Sequence, residues 1–201
     1  DVSRFMRMLR LKGADMVELT DLHKHFILEH LGDGDVAVDF TMGNGGDTLF
    51  LSRTVGESGR VYAFDIQEDA IVSTKKYLCD NGAPENYTLI CASHHRVREF
   101  VREPIKAGMF NLGYLPGSGN KSLHTMREST MPAVNAAIGL LKKGGVLAIS
   151  VYPGHEEGRL EGEMLIEALS KLDKKYYCVT QLRLINSPDA PFVIAVEKYD
   201  K

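Results

Sequence analysis

The part of this chain best suited to hold a ligand is a run of small and acidic residues, Asp39-Phe40-Thr41-Met42-Gly43-Asn44-Gly45-Gly46-Asp47-Thr48. Its glycines let the backbone turn tightly and let a bound molecule come close to it. An apolar run, 36–40, precedes the loop, and a helix-compatible run, 48–55, follows it. Asp65 closes the next apolar run twenty positions beyond Gly45, where a carboxylate can grip both hydroxyls of a ribose. Strand, loop, helix, strand and terminal acid together describe a nucleotide site. Two ligands compete for it. A dinucleotide fingerprint needs glycine where Thr48 stands, and its diphosphate needs a helix N-terminus free of negative charge. Here it would meet both Asp39 and Asp47. S-adenosylmethionine carries no phosphate, and its ammonium and sulfonium are cations, so the two acids favour it over NAD. The bland alternative is that Asp47 only caps its helix.

The elements that must position these residues alternate regularly. Apolar runs at 36–40, 60–65, 87–92, 108–115 and 146–152 read as buried parallel strands. Helical spacing falls at 20–31, 48–55, 68–81, 95–106 (up to Pro104), 122–141 and 161–171. Pro132 is expected to disturb the fifth of these helices, and Gly144-Gly145 to cap it. Two last strands, 176–185 and 192–199, are joined through 187–191. The pattern predicts an α/β sandwich with a mostly parallel seven-stranded sheet and a C-terminal antiparallel hairpin. In such a sheet the ligand lies beyond the carboxyl ends of the strands, after Phe40, Asp65, Ala92, Phe110 and Tyr152.

A chain of 201 residues makes one domain, expected to run over 1–201 with an N-terminal helical segment at about 1–31. No apolar run approaches the ~20 residues of a membrane span, and no signal-peptide pattern opens the chain. The net charge of −3 excludes a protein that coats nucleic acid by bulk charge, but not one with a local basic face. Cys79, Cys91 and Cys178 form no CxxC pair and no zinc spacing, so a reduced, cytoplasmic protein is expected. His23 and His25 are two apart on a helix and do not share a face, so no metal site is expected there.

The ordered motifs DFTMGNGGDT (39–48), AFDIQ (63–67), ASHH (92–95), NLGYLPG (111–117) and VYPGHEEG (151–158) are more specific than the glycine loop alone. In them the chain resembles, from about residue 20 to 198, a small family of class I methyltransferases with a Rossmann-like fold. The family is labelled as rRNA methylases, and its members include the tRNA 5-aminomethyl-2-thiouridine methyltransferase. The resemblance implies S-adenosylmethionine as cofactor and methylation of the aminomethyl group on a wobble uridine of tRNA. It assigns Asp39, Thr41, Gly43, Asn44, Gly45, Asp47 and Thr48 to the methionine side of the cofactor, and Asp65 to its ribose. Ile66, Gln67, Ser93 and His94 would border the adenine. Residues 111–116 and 152–155 would form the acceptor pocket.

Methyl transfer from a sulfonium is an in-line displacement, so catalysis is mostly alignment, and an amine attacks only as the neutral base. Asn111 would accept a hydrogen bond from that amine, as in amino-group methyltransferases with an Asn-Pro-Pro-Tyr motif. This chain departs from the motif at Leu112-Gly113. Tyr114 is expected to stack on the target base or else to pack beside the strand. Pro116 closes the same turn. His155 either carries away the released proton or holds its loop. The implied partner is RNA, most simply the anticodon arm of tRNA, gripped by one copy or a homodimer. Basic residues would rim the cleft: Arg4, Arg7, Arg10 and Lys12; Arg96, Arg98, Arg102 and Lys106; Lys121 and Arg127. An rRNA enzyme on the same fold, a non-catalytic nucleotide-binding protein and an NAD-linked reductase are the alternatives.

Overall fold

The computed structural model describes residues 19–112 and 127–200. Helix α1 (Leu19–His30) leads into β1 (Val36–Asp39), α2 (Gly46–Val55), β2 (Arg60–Asp65), α3 (Glu68–Asp80) and β3 (Tyr87–Cys91). A single 3-10 turn (His94–Arg96) and a one-turn helix α4 (Val97–Phe100) follow. Then come β4 (Ile105–Leu112), α5 (Arg127–Leu140), β5 (Leu141–Val151), α6 (Glu156–Leu169), β6 (Tyr177–Leu182) and β7 (Phe192–Lys198).

The seven strands form one sheet in the order β3-β2-β1-β4-β5-β7-β6. The first five are parallel, while β7 runs antiparallel to both β5 and β6. Strand order reverses between β1 and β4, so the crevice for a ligand opens at the ends of those two strands. Successive side chains on each strand serve opposite cores. Ala37, Ala107, Met109, Val146 and Ala148 pack with Ile27, Leu31, Leu51 and Val55 on one face. Val38, Phe110, Leu147 and Ile149 pack on the other with Ala133, Val134, Ala137 and Leu165. Burial on both faces explains why the strands read as continuous apolar runs rather than alternating ones. Gly108 is required here: a Cβ on it would stand 2.7 Å from Leu147 Cδ1 and 2.9 Å from Phe40 Cε2. The Phe40 ring lies flat on Phe110, with centroids 4.1 Å apart. Among the described residues, no helix is long and apolar enough to cross a membrane.

Several boundaries differ from expectation, each for a local reason. Segment 95–106 is not one helix. Its helical part ends at Phe100 and Ile105 already pairs with Leu141, because Pro104 forbids the helix and the apolar residues beyond it find the sheet. Gly144-Gly145 does not cap α5, which ends at Leu140. The two glycines lie inside β5, where the pairing jumps from Ile105↔Leu141 to Ala107↔Val146. Gly144 has φ 66°, and a Cβ on Gly145 would press on the Lys106 carbonyl oxygen at 2.8 Å. The pair makes a bulge that glycine alone fits. Pro132 sits inside α5. Helix α6 starts at Glu156 rather than at 161, with Glu156 and Glu157 in its first turn, where the helix dipole favours carboxylates.

Candidate functional site

Asp39 ends β1 and is 1% exposed. Thr48 donates its hydroxyl to one carboxylate oxygen at 2.7 Å, and the Thr41 N–H donates to the other at 3.1 Å. Burial, and then the charge of Asp47, push its carboxyl up to about 7. The loop beyond it is pinned at both ends. The Met42 N–H donates to the Phe64 carbonyl at 2.9 Å, and the Thr74 hydroxyl to the Gly43 carbonyl at 2.9 Å. Gly45 begins the helix with φ 86°, and a Cβ there would lie 2.9 Å from Thr74 Cγ2. Gly45→Ala therefore combines a left-handed backbone with a clash. The expected loss is about 2 kcal/mol of stability, with weaker cofactor binding, read by denaturant melts and calorimetry.

On the β2 side, Asp65 accepts the Gly43 N–H at 3.1 Å and the Gln67 N–H at 3.0 Å. The carboxylate is thus aimed by two backbone amides and ties the glycine loop to the end of β2. Ile66 beside it is 57% exposed, an apolar side chain next to this carboxylate. Gln67 is the N-cap residue of α3, and Asn44 is exposed. After β3, the Ser93 hydroxyl bonds the His95 ring at 2.8 Å. His94 is buried, its Nδ1 3.2 Å from the Phe40 carbonyl, which must accept, so Nδ1 carries the hydrogen. Its Nε2 is then a bare acceptor, with no hydrogen-bond partner among the described residues. Burial lowers this imidazole to about 4, so it is neutral near pH 7.

Asn111, near the end of β4, joins the two halves. Its N–H donates to the Thr41 hydroxyl at 2.7 Å, and its Nδ2 donates to Asp47 Oδ2. The Tyr152 hydroxyl points to Asn111 Oδ1 at 3.4 Å. Burial and the Asp47 charge raise the Tyr152 hydroxyl, so it stays a donor. His155 caps α6, its Nδ1 accepting the Gly158 N–H at 3.1 Å, the loop-holding role. Tyr114 and Pro116 lie outside the described residues.

The structure brings Asp39, Thr41, Asp47, Thr48 and Asn111 into one network, with Gly43, Asp65 and Gln67 in a second. Sequence reasoning missed His23 and Ser150. His23 is 4% exposed, with Nε2 3.4 Å from Asp47 Oδ1 and Nδ1 3.1 Å from Ser150 Oγ. Two signals could have found them. His23 shares the i, i+4, i+8 stripe with buried Ile27 and Leu31, and Ser150 interrupts an apolar strand. Among the described residues the basic rim is smaller than expected. Arg96 and Arg98 follow β3 at the carboxyl end, but Lys106 opens β4 at the opposite end, beside Gly144. Arg102 lies on the way there, because the chain leaves the rim at Phe100. The side chains of Arg4, Arg7, Arg10, Lys12, Lys121 and Arg127 lie outside the described residues. Among the described residues, no group of three or more His, Cys, Asp or Glu side chains gathers to hold a metal.

A strand order that reverses at a glycine loop ringed by three carboxylates, with an antiparallel final strand, defines a Rossmann-like methyltransferase fold. The family model described as "Putative rRNA methylase" matches residues 61–197, and the chain belongs to that family. It is 39% identical over 175 residues to the chloroplastic tRNA (mnm(5)s(2)U34)-methyltransferase of Arabidopsis thaliana, matching 82% of this chain and 64% of that one. The chain thus spans less than two thirds of that relative's length. Among solved structures, an rRNA methylase of Clostridium thermocellum, itself described as putative, superposes with a TM-score of 0.87. It shares 38% identity over 92% of this chain and 99% of that one. A Streptococcus mutans protein described as "a putative methyltransferase", solved in complex with SAH, gives 0.82 at 34% identity, again over 92% and 99%.

Proposed function

We propose that this chain is an S-adenosylmethionine-dependent RNA methyltransferase that methylates the 5-aminomethyl nitrogen of the wobble 2-thiouridine in tRNA. The observation that carries the reading is the Asn111 amide. Its NH2 is committed to Asp47, which leaves its oxygen, met by the Tyr152 hydroxyl at 3.4 Å, as the acceptor end of the amide near the carboxyl end of β4. An acceptor there binds an amine N–H and turns the nitrogen lone pair forward. Bound S-adenosylmethionine would supply an electrophilic methyl group. The residues fit it: Asp39 and Asp47 suit its cations, Asp65 its ribose diol, and exposed Ile66 its adenine. Buried His94 Nε2, an acceptor without a donor among the described residues, lies after β3, where the purine amino group would come. The same carboxylates oppose a diphosphate, which disfavours the NAD reading.

In the transfer, the amine lone pair forms the N–CH3 bond and the C–S bonding pair returns to sulfur. The extra proton on nitrogen then leaves to solvent or base. Asn111 orients the amine, Tyr152 donates to its amide oxygen, and Asp39 and Asp47 oppose the cationic charge on the donor side. Cofactor and RNA share the α/β domain over 1–201, which contacts the anticodon arm as one copy or as a homodimer. Arg96 and Arg98 supply part of its basic rim. Cys79 and Cys91 are exposed free thiols and Cys178 a partly buried one, in keeping with a reducing, cytoplasmic setting.

The test is incubation with labelled S-adenosylmethionine and total RNA from a strain lacking the enzyme, followed by nucleoside mass spectrometry. Label on 5-aminomethyl-2-thiouridine supports the proposal. Label in an rRNA nucleoside supports the second acceptor, which the family description favours. NAD binding with no transfer refutes both.

Asp39 adds a pH signature. Its carboxyl holds a proton up to about 7 in the folded state, against 3.8 for an ordinary aspartate. Between those values the native state binds more protons than the unfolded one, so stability falls as pH rises through the window and then levels. The thermal midpoint of the free protein is expected to drop across it, and Asp39→Asn to flatten the drop. Equal slopes in both proteins would show that Asp39 is not the group responsible.

A further inference from the structure

We infer that His23, on α1 and outside the residues matched by the family model, is a positioning residue for methyl transfer that sets the orientation of the Asn111 amide through Asp47. The inference rests on Asn111 receiving the amine, as proposed above. It follows from donor and acceptor bookkeeping along one buried chain. A carboxylate only accepts, so His23 Nε2 must carry the hydrogen that faces Asp47 Oδ1 at 3.4 Å. In the neutral ring Nδ1 is then bare, and the Ser150 hydroxyl donates to it at 3.1 Å. Ser150 is 1% exposed and His23 4%, so water does not replace either partner cheaply.

Asp47 is held on one oxygen by His23 and offers the other to Asn111 Nδ2. This fixes the amide the right way round. The opposite orientation would present NH2 to the incoming amine, and a donor there would occupy the lone pair that has to attack. Left without His23, the Asp47 side chain, 13% exposed, loses its partner on α1 and is free to turn toward solvent or toward the donor's cation. Asn111 then loses the contact that distinguishes its two ends. A helix that touches neither reacting atom thereby decides whether the nucleophile is presented or masked.

The test compares His23→Leu, which removes both hydrogen bonds at similar volume, with His23→Gln, which keeps a donor for Asp47 and an acceptor for Ser150. Ser150→Ala is a third variant. On tRNA bearing 5-aminomethyl-2-thiouridine, His23→Leu is expected to lower kcat about 100-fold while KM for tRNA and Kd for S-adenosylhomocysteine stay within about threefold. His23→Gln should recover to within about tenfold of the parent, and Ser150→Ala should lose less than His23→Leu. Nitrogen-15 NMR supplies a readout independent of turnover. The parent should show the Nε2–H tautomer at His23, and the Asn111 side-chain amide should shift in His23→Leu but not in His23→Gln. Equal loss in the Leu and Gln variants, a parallel loss of S-adenosylhomocysteine binding, or the Nδ1–H tautomer overturns the inference. Should His23→Leu fail to fold, the Gln and Ala variants and the parent tautomer decide it alone. No transfer by the parent protein on this tRNA refutes the acceptor assignment instead, and the NMR arm still decides whether His23 sets the amide.

Discussion

Replacing Asn111 with alanine is expected to reduce methyl transfer about 1,000-fold while leaving S-adenosylhomocysteine affinity within about fivefold of the parent. The asymmetry follows from what each atom of Asn111 touches. Its backbone N–H holds Thr41, a contact that alanine retains, so the loop beside the cofactor keeps its anchor. Its side-chain oxygen, which accepts from the Tyr152 hydroxyl at 3.4 Å, is the atom proposed to receive the amine. Alanine deletes that oxygen and releases one oxygen of Asp47, which remains beside His23. The check is single-turnover transfer to tRNA beside calorimetric binding of S-adenosylhomocysteine. Transfer at the parental rate removes Asn111 from the chemistry.

Asp65→Ala should do the reverse in binding. Two charge-assisted hydrogen bonds to a ribose diol are worth about 1.5 kcal/mol or more each, so Kd is expected to rise about 100-fold. A further effect comes from the loop, because Asp65 also accepts the Gly43 and Gln67 N–H groups. Asp65→Asn separates the two contributions. It retains one acceptor oxygen, so it should keep part of the loop geometry and recover only part of the affinity. Calorimetry with a melting curve on each variant reads both. Unchanged affinity in the alanine variant means that the ribose lies elsewhere.

How much of this was legible in the sequence depended on the range of the interaction concerned. The loop at 39–48 and Asp65 were readable because strand, turn and helix signals are local, and the structure puts Asp65 at the end of β2. The buried strands showed themselves as unbroken apolar runs for the same reason. In sequence the bulge at Gly144-Gly145 reads as a helix cap because a glycine pair fits either, and the Lys106 carbonyl across the strand pair distinguishes them. In sequence His23 has only His25 as a neighbouring histidine to be read with. Its partners stand 24 and 127 residues away, at Asp47 and Ser150, and no periodicity reports such a meeting. Segment 95–106 carried a helical pattern that Pro104 and the pairing of Ile105 with Leu141 overrode. The hairpin of β6 and β7 was foreseeable, but not that the later strand would slot inside the earlier one.

That inversion bears on how the molecule is made. The strand of this sheet that comes latest in the sequence, Phe192–Lys198, is not a trim on the edge but an interior member hydrogen-bonded on both sides. Until it arrives, β5 ends the sheet as an open edge, and β6 has no strand to pair with. The glycine loop, Asp65 and Asn111 can all be synthesised while Ile149 and Val151 still lack Ile194 and Phe192 opposite them. A growing chain therefore carries the glycine loop, Asp65 and Asn111 before it can close its sheet, and that interval is when a chaperone would be needed.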